Sequence, residues 1–342
     1  MRIMTESPMN AETPVECLRS WITANSVFFD RNQSELKEQI SLNEYRLTIG
    51  GEVEVPCRVS FAEILRLPKA IQANTIECSG NGRSLLKESA AGNPWTIGGV
   101  GNAVWGGVWL KDILSLARPK EQARDVAFEG LDEPAGKAKI KFLRSISLEK
   151  AVGTTLLAYE MNGEPLPLKH GFPLRVLALG WVGASCVKWL SKILLLNQPF
   201  EGHYMDRAYR VFQKGQDPKT GMVITRIPLK SIITQPVPGE KLKRGRIVVL
   251  GAAYGGEREI KEIEISIDGG RRWEKGEWIG PQEPFAWRQW QYLWEARDPG
   301  DFYVMARVID MEGRKQPMNA TWNVLGYGNN GVTEHAVRIR VE

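Results

Sequence analysis

Hydrophobic and polar positions along the chain change period several times, and each change marks an element. Residues 1–45 are irregular, with a short helical signal at Val15-Glu16-Cys17-Leu18 after Thr13-Pro14. Tyr45 to Val53 alternates about Gly50-Gly51, which predicts a hairpin. Ser60-Phe61-Ala62-Glu63 has the form of a capping box and predicts a short helix that stops before Pro68. Ala73 to Glu77 predicts a strand, and Trp109 to Leu116 carries helical apolar spacing. Lys137 to Ile146 and Thr155 to Glu160 read as strand or mixed segments, with a turn at Asn162-Gly163. Apolar runs follow at Val176 to Leu179 and from Gly180 to Leu190.

The texture changes after about residue 228. Gln235-Pro236-Val237-Pro238-Gly239-Glu240 is a linker-like patch. Beyond it come short alternating runs at Arg246–Leu250, Ile260–Ile267, Phe302–Ile309 and Val337–Val341, parted by turns such as Asp268-Gly269-Gly270. Short strands at regular spacing predict an immunoglobulin-like sandwich of roughly 100 residues. No cysteine falls in it, so no inter-sheet disulfide is possible there. The first part mixes strands and helices without the alternation of a doubly wound sheet, and is read as α+β. The expected domains are 1–228 and 229–342.

Composition narrows the class. Of 342 residues, 43% are hydrophobic and 25% charged, enough for a sizeable core. The net charge is +5, with both signs interspersed and no basic run, so a nucleic-acid partner is not expected. Four cysteines (Cys17, Cys57, Cys78, Cys186) form no C-x-x-C, which leaves structural zinc, thioredoxin-like chemistry and covalent haem attachment unsupported. The first residues lack an apolar leader core, so a cytoplasmic place is expected, or a periplasmic one if a leader precedes this sequence. Lys188 and Lys192 interrupt the longest apolar stretch, so no membrane span is expected. Twelve tryptophans imply packed aromatic cores or a walled pocket.

Chemistry concentrates at Ile76-Glu77-Cys78-Ser79-Gly80-Asn81-Gly82-Arg83. One cysteine sits in a polar, glycine-rich turn after a predicted strand, and glycines let another body approach the sulfur. Arg83 is a permanent cation that favours thiolate. From the residues alone two plainer alternatives stay open: a small buried core cysteine, and ordinary hairpin chemistry at Gly-Asn-Gly. A cysteine hydrolase pairing Cys78 with His170 lacks a nucleophile motif.

Longer stretches carry a resemblance. FFDRN at 28–32, IECSGNGR at 76–83, GNAVWGG at 101–107, AYEMNGEPLPLKHGFPLRV at 158–176 and VGASCVKWL at 182–190 resemble the molybdenum-cofactor core of the sulfite oxidase family. SIDGG at 266–270 and TWNVLGYGNN at 321–330 resemble that family's C-terminal dimerisation domain. The resemblance implies a molybdenum-molybdopterin cofactor, a pyranopterin dithiolene whose metal takes Cys78 as its one protein thiolate. Soft thiolate suits a metal already bound by sulfur.

By the same resemblance the cofactor is held by Phe29, Asp30, Arg31, Asn32 and Gln33, by Asp132, and by His170, Arg175, Cys186, Val187 and Lys188. The cations His170, Arg175 and Lys188 are expected at the phosphate end, where charge-assisted hydrogen bonds are strong. Arg31, Arg83, Trp95 and Tyr209 are expected around the substrate, an anion such as sulfite that would be oxidised to sulfate by oxygen-atom transfer. The family pattern has histidine where this chain has Gln33 and Cys186, and arginine where it has Gly82 and Ser185. His335-Ala336 lacks the arginine that often follows this histidine. A sulfane dehydrogenase, a nitrate-directed enzyme and a cofactor-less interaction protein of the same fold are the alternatives. Without a haem segment, electrons would pass to an external acceptor such as cytochrome c. A homodimer through the C-terminal domain is implied.

Overall fold

The computed structural model describes residues 1–34, 36, 40–134 and 140–342. It is mostly β, with few and short helices; the longest, Leu110–Ala117, has eight residues. The α+β expectation is thus corrected toward β. The segments read as strand or mixed pair into sheets at Leu143–Ser147 and Thr155–Met161, where their backbone groups find partners across strands. No helix among the described residues is long and apolar enough to cross a membrane.

Two five-stranded sheets build the first part. One places Ala70–Glu77 beside Val100–Trp109, then Thr155–Met161, which also pairs with Glu164–Pro165 and Arg175–Ala178. The other runs Cys57–Ser60, Arg46–Gly51, Leu190–Leu196, Asp125–Gly130, Leu143–Ser147. Residues from both sheets, such as Val108, Leu157, Val126 and Ile193, share one buried core with Leu110, Ile113 and Leu114 of the longest helix. That helix carries its apolar residues on one face, as its spacing predicts.

Local chemistry sets several boundaries. The Ser60 capping box forms in both directions, with Oγ accepting from Glu63 N and the Glu63 carboxylate accepting from Ser60 N. Such a cap contributes about 1 kcal/mol. The hairpin expected at Gly50-Gly51 is displaced. Gly50 and Gly51 continue the strand, and the returning partner is Cys57–Ser60. Any Cβ at Gly51 would collide with the Leu195 carbonyl, so glycine there serves the parallel pairing with Leu190–Leu196. Asn162-Gly163 turns between Thr155–Met161 and Glu164–Pro165, both at positive φ. Of the expected Lys137–Ile146 segment, residues 137–139 lie outside the described residues, and the strand there is Leu143–Ser147.

Beyond residue 229 two sheets face each other. Lys230–Gln235, Gly245–Tyr254, Arg288–Ala296 and Glu277–Ile279 form one. Lys241–Leu242, Val337–Val341, Gly300–Asp310, Ile260–Ser266 and Glu274–Lys275 form the other. They enclose Val249, Trp290, Trp294, Ile263, Val308 and Ile339. The two parts of the chain are not independent. A further buried cluster joins Leu18, Val100 and Val182 to Ile232, Tyr254 and Trp287. Trp287 Nε1 also donates to the Trp21 carbonyl at 2.9 Å.

Candidate active site

Strand Ala70–Glu77 ends one residue before Cys78 and delivers it to the wall of a cleft. Phe29, Arg31, Asn32, Gln33, Asp132, His170, Arg175, Cys186, Lys188 and Tyr209 line the same cleft. Chain segments far apart in sequence therefore converge as the motifs require. The Cys78 turn is held by its backbone: Cys78 N donates to Gly99 O at 2.8 Å, and Asn81 N to Cys78 O at 2.9 Å.

Charges divide the cleft into two ends. At one, Lys188 Nζ lies 3.1 Å from Asp30 Oδ1 and donates to Lys169 O at 2.7 Å. Arg175 donates to His170 O at 2.8 Å and sits 5.1 Å from the Trp105 ring centroid. Burial, with Lys188 and Arg175 nearby, pulls the His170 pKa down to about 3, so the imidazole is neutral at pH 7. Burial likewise lowers the Lys188 pKa, and brings Arg175 down to about 10. Asp132 is pushed up by burial.

At the other end stand Cys78, Arg31, Tyr209 and Tyr327. Arg31 donates to Asn10 Oδ1 at 3.2 Å and to the Asn32 carbonyl. Burial pulls its pKa down, but Tyr209, Cys78, Tyr327 and Tyr204 more than offset this and raise it. Burial pushes the Cys78 thiol up against the opposing effects of Arg31, the Gly80 amide and Arg83. A metal that takes the thiolate would supply the missing stabilisation. Tyr209 has φ +54, a left-handed backbone that costs a tyrosine roughly 1–2 kcal/mol. Its hydroxyl accepts from Gln33 Nε2 at 2.9 Å, and Tyr327 stacks on its ring at 5.5 Å.

Four expected residues stand outside the cleft wall, and one of them, Asp30, is buried against Lys188. Arg83 is 7% exposed and spends its donors on carbonyls, Leu325 O at 2.9 Å and Asn93 O at 2.7 Å. It ties the cysteine turn to the second part of the chain. Trp95 is buried edge-on to Phe29, 6.2 Å between centroids. It backs the wall instead of forming it. Val187 packs into the main core, and its carbonyl accepts from Val176 N.

A further set of side chains supports the cysteine turn. Glu77, beside Cys78, accepts from Lys230 Nζ at 2.6 Å, from Tyr254 OH at 3.0 Å and from Asn81 Nδ2 at 3.0 Å, all buried. Asn329 Nδ2 donates to Gly82 O at 2.7 Å, and Gly328 N to Ser79 O at 2.9 Å. The TWNVLGYGNN run held the clue for Tyr327 and Asn329; nothing marked Lys230.

The residues fit an anionic, sulfur-bearing cofactor. Among the described residues no group of three or more His, Cys, Asp or Glu is placed to hold a metal ion, so one at Cys78 would bring its other ligands with it. Asn32 Oδ1, Ser79 Oγ and Arg175 Nε are buried at the cleft without partners, and each such atom costs about 1–3 kcal/mol until satisfied. Arg175, Lys188 and Arg31 supply cationic donors for an anion.

Comparison with known proteins agrees. The oxidoreductase molybdopterin-binding domain matches residues 34–204, and the Mo-co oxidoreductase dimerisation domain residues 221–342. The mitochondrial sulfite oxidase of Rattus norvegicus is 34% identical over 366 residues, which take in 100% of this chain and 66% of that protein. The sulfite oxidase of Arabidopsis thaliana is 30% identical, with 100% and 94% covered. The sulfane dehydrogenase SoxCD from Paracoccus pantotrophus superimposes with a TM-score of 0.83 at 26% identity, over 99% of this chain and 88% of that one. A cysteine-headed cleft with an orphaned guanidinium donor, carried on two matched domains, has one consistent explanation: the chain belongs to the sulfite oxidase family of molybdopterin-binding oxidoreductases.

Proposed function

We propose that this protein oxidises sulfite to sulfate and passes the electrons to a separate acceptor. The observation that carries it is the pairing, in one cleft, of the Cys78 thiol with Arg31 and Tyr209 at the substrate end. When bound at Cys78, the molybdenum cofactor would supply the transferred oxygen atom and accept two electrons; water and the external acceptor restore both.

The chain's own residues do the rest. Arg31 attracts and orients the anion beside Cys78. Tyr209, whose oxygen already accepts from Gln33, has its hydroxyl proton free to donate to an anion oxygen. Lys188, Arg175 and neutral His170 hold the phosphate end, and Asp132 and Asn32 take the pterin edge. Arg83 acts indirectly by fixing the Cys78 turn. The second part, an immunoglobulin-like sandwich beginning near residue 229, joins two copies as a homodimer. Its support is the two facing sheets and the dimerisation-domain match.

A second reading is a sulfane dehydrogenase, favoured by the likeness to SoxCD and by Gly82 standing where the family pattern has arginine. Molybdenum analysis combined with a panel of sulfite, thiosulfate and nitrate, with ferricyanide or cytochrome c as acceptor, separates them. Sulfite turnover is expected. Stoichiometric molybdenum without it would move the assignment to another sulfur substrate.

A further inference from the structure

Arg144 is a buried cation outside the cleft wall. It lies on strand Leu143–Ser147 opposite Phe128 and is 1% exposed. One terminal nitrogen donates to the Tyr204 carbonyl, and Nε is buried without an acceptor. Among the described residues, the groups acting on it electrostatically are Tyr209, Tyr327 and another cation, Arg210, with no carboxylate. Burial pulls its pKa down to about 10, which leaves it charged at neutral pH. A buried cation with no counter-ion is costly, and in low-dielectric surroundings its field reaches far.

What it faces is the substrate end. The guanidinium carbon is 5.2 Å from the Tyr209 ring centroid, a cation–π distance. Tyr209 lines the cleft, whereas Arg144 stands behind it. The Tyr209 ring is further packed by Tyr327, Tyr204 and Phe142. Arg31, also at this end, is acted on by Tyr209 and Tyr204 as well.

We propose that Arg144 is a positioning and specificity residue, fixing the Tyr209 ring from behind and adding a constant positive charge that selects a small oxyanion. This rests on the reading of the cleft as an oxyanion site, and it names a residue that reading does not use. The anion itself supplies the missing counter-charge when it binds. Loss of the charge weakens anion binding more than turnover, because Arg144 touches neither the substrate nor the reacting atoms.

The test is calorimetric sulfate binding to the molybdenum-loaded protein, with steady-state sulfite kinetics, for wild type, R144K and R144M. R144M is expected to bind sulfate about tenfold more weakly and to raise KM more than it lowers kcat. R144K, which keeps the charge, should stay within about threefold of wild type. The R144M melting temperature should equal or exceed that of wild type, since a buried charge is replaced by an apolar chain. Sulfate binding by R144M equal to wild type would overturn the assignment. So would equal losses in R144K and R144M accompanied by lower melting temperatures, which mark a packing role. Molybdenum content of the same samples reports separately on the cofactor. A wild type without molybdenum would sink that reading, while a sulfate defect confined to R144M would still support Arg144.

Discussion

Lys230 and Glu77 are each almost fully buried, and their ion pair at 2.6 Å joins the second part of the chain to the residue before Cys78. Breaking one side of such a pair strands the other charge, which typically costs about 3–5 kcal/mol. K230M should therefore lower stability by that order in chemical denaturation, and should also reduce molybdenum retention because the cysteine turn loosens. A variant with unchanged stability would show that Glu77 finds other compensation. At this scale the sequence was informative where a motif was contiguous: Cys78, His170 and Arg175 all reach the cleft. It was silent where chemistry depends on distant pairing. Nothing in the residues around Lys230 or Arg144 distinguishes a buried cation from a solvated one. Arg83 looked like a pocket cation beside Cys78, yet its donors turn to carbonyls on Leu325 and Asn93.

The glycine turn that follows strand Ala70–Glu77 is the element on which the site depends. Gly82 has φ +84, and a Cβ there would meet His335 Nε2 at 3.0 Å and Asn329 Nδ2 at 3.1 Å. G82A should destabilise the protein by roughly 1–3 kcal/mol and lower turnover through displacement of the turn. Thermal unfolding and activity measured together check this; an unaffected variant would mean that the turn relaxes freely. Periodicity located several elements, because a half-buried strand must alternate whatever surrounds it. The capped helix at Phe61–Ile64, the strand Thr155–Met161 and the strand Val337–Val341 all fall where the pattern put them. The Gly50-Gly51 turn was misplaced because a glycine needed for close strand packing looks identical in sequence to one needed for a turn. Arg288–Ala296, with Trp290 and Trp294 facing the core, was passed over although it alternates.

Across the whole molecule, two buried histidines make stability depend on pH. The His335 pKa falls to about 3 through burial and nearby Lys230, and its Nδ1 lies 2.8 Å from Gly331 O. His170 is lowered to a similar value. An unfolded histidine titrates near 6.5, so between about pH 6.5 and 3 the unfolded state binds more protons. Stability should thus fall as pH drops through that window, by about 2 kcal/mol per histidine at pH 5. H335N, which can keep the donor to Gly331, should flatten the dependence of melting temperature on pH; an unchanged slope would exclude His335 as a source. The shared cluster of Leu18, Val100, Ile232 and Trp287 welds the two parts, which explains why the texture change near residue 228 was legible and the interface across it was not.

Molybdenum X-ray absorption on wild type and C78S, each purified from cells that make the cofactor, tests the central claim most directly. The expected result is molybdenum in both proteins, one fewer sulfur neighbour in C78S, and no sulfite turnover by that variant. The same sulfur shell in both proteins, or C78S turning over like wild type, would contradict it.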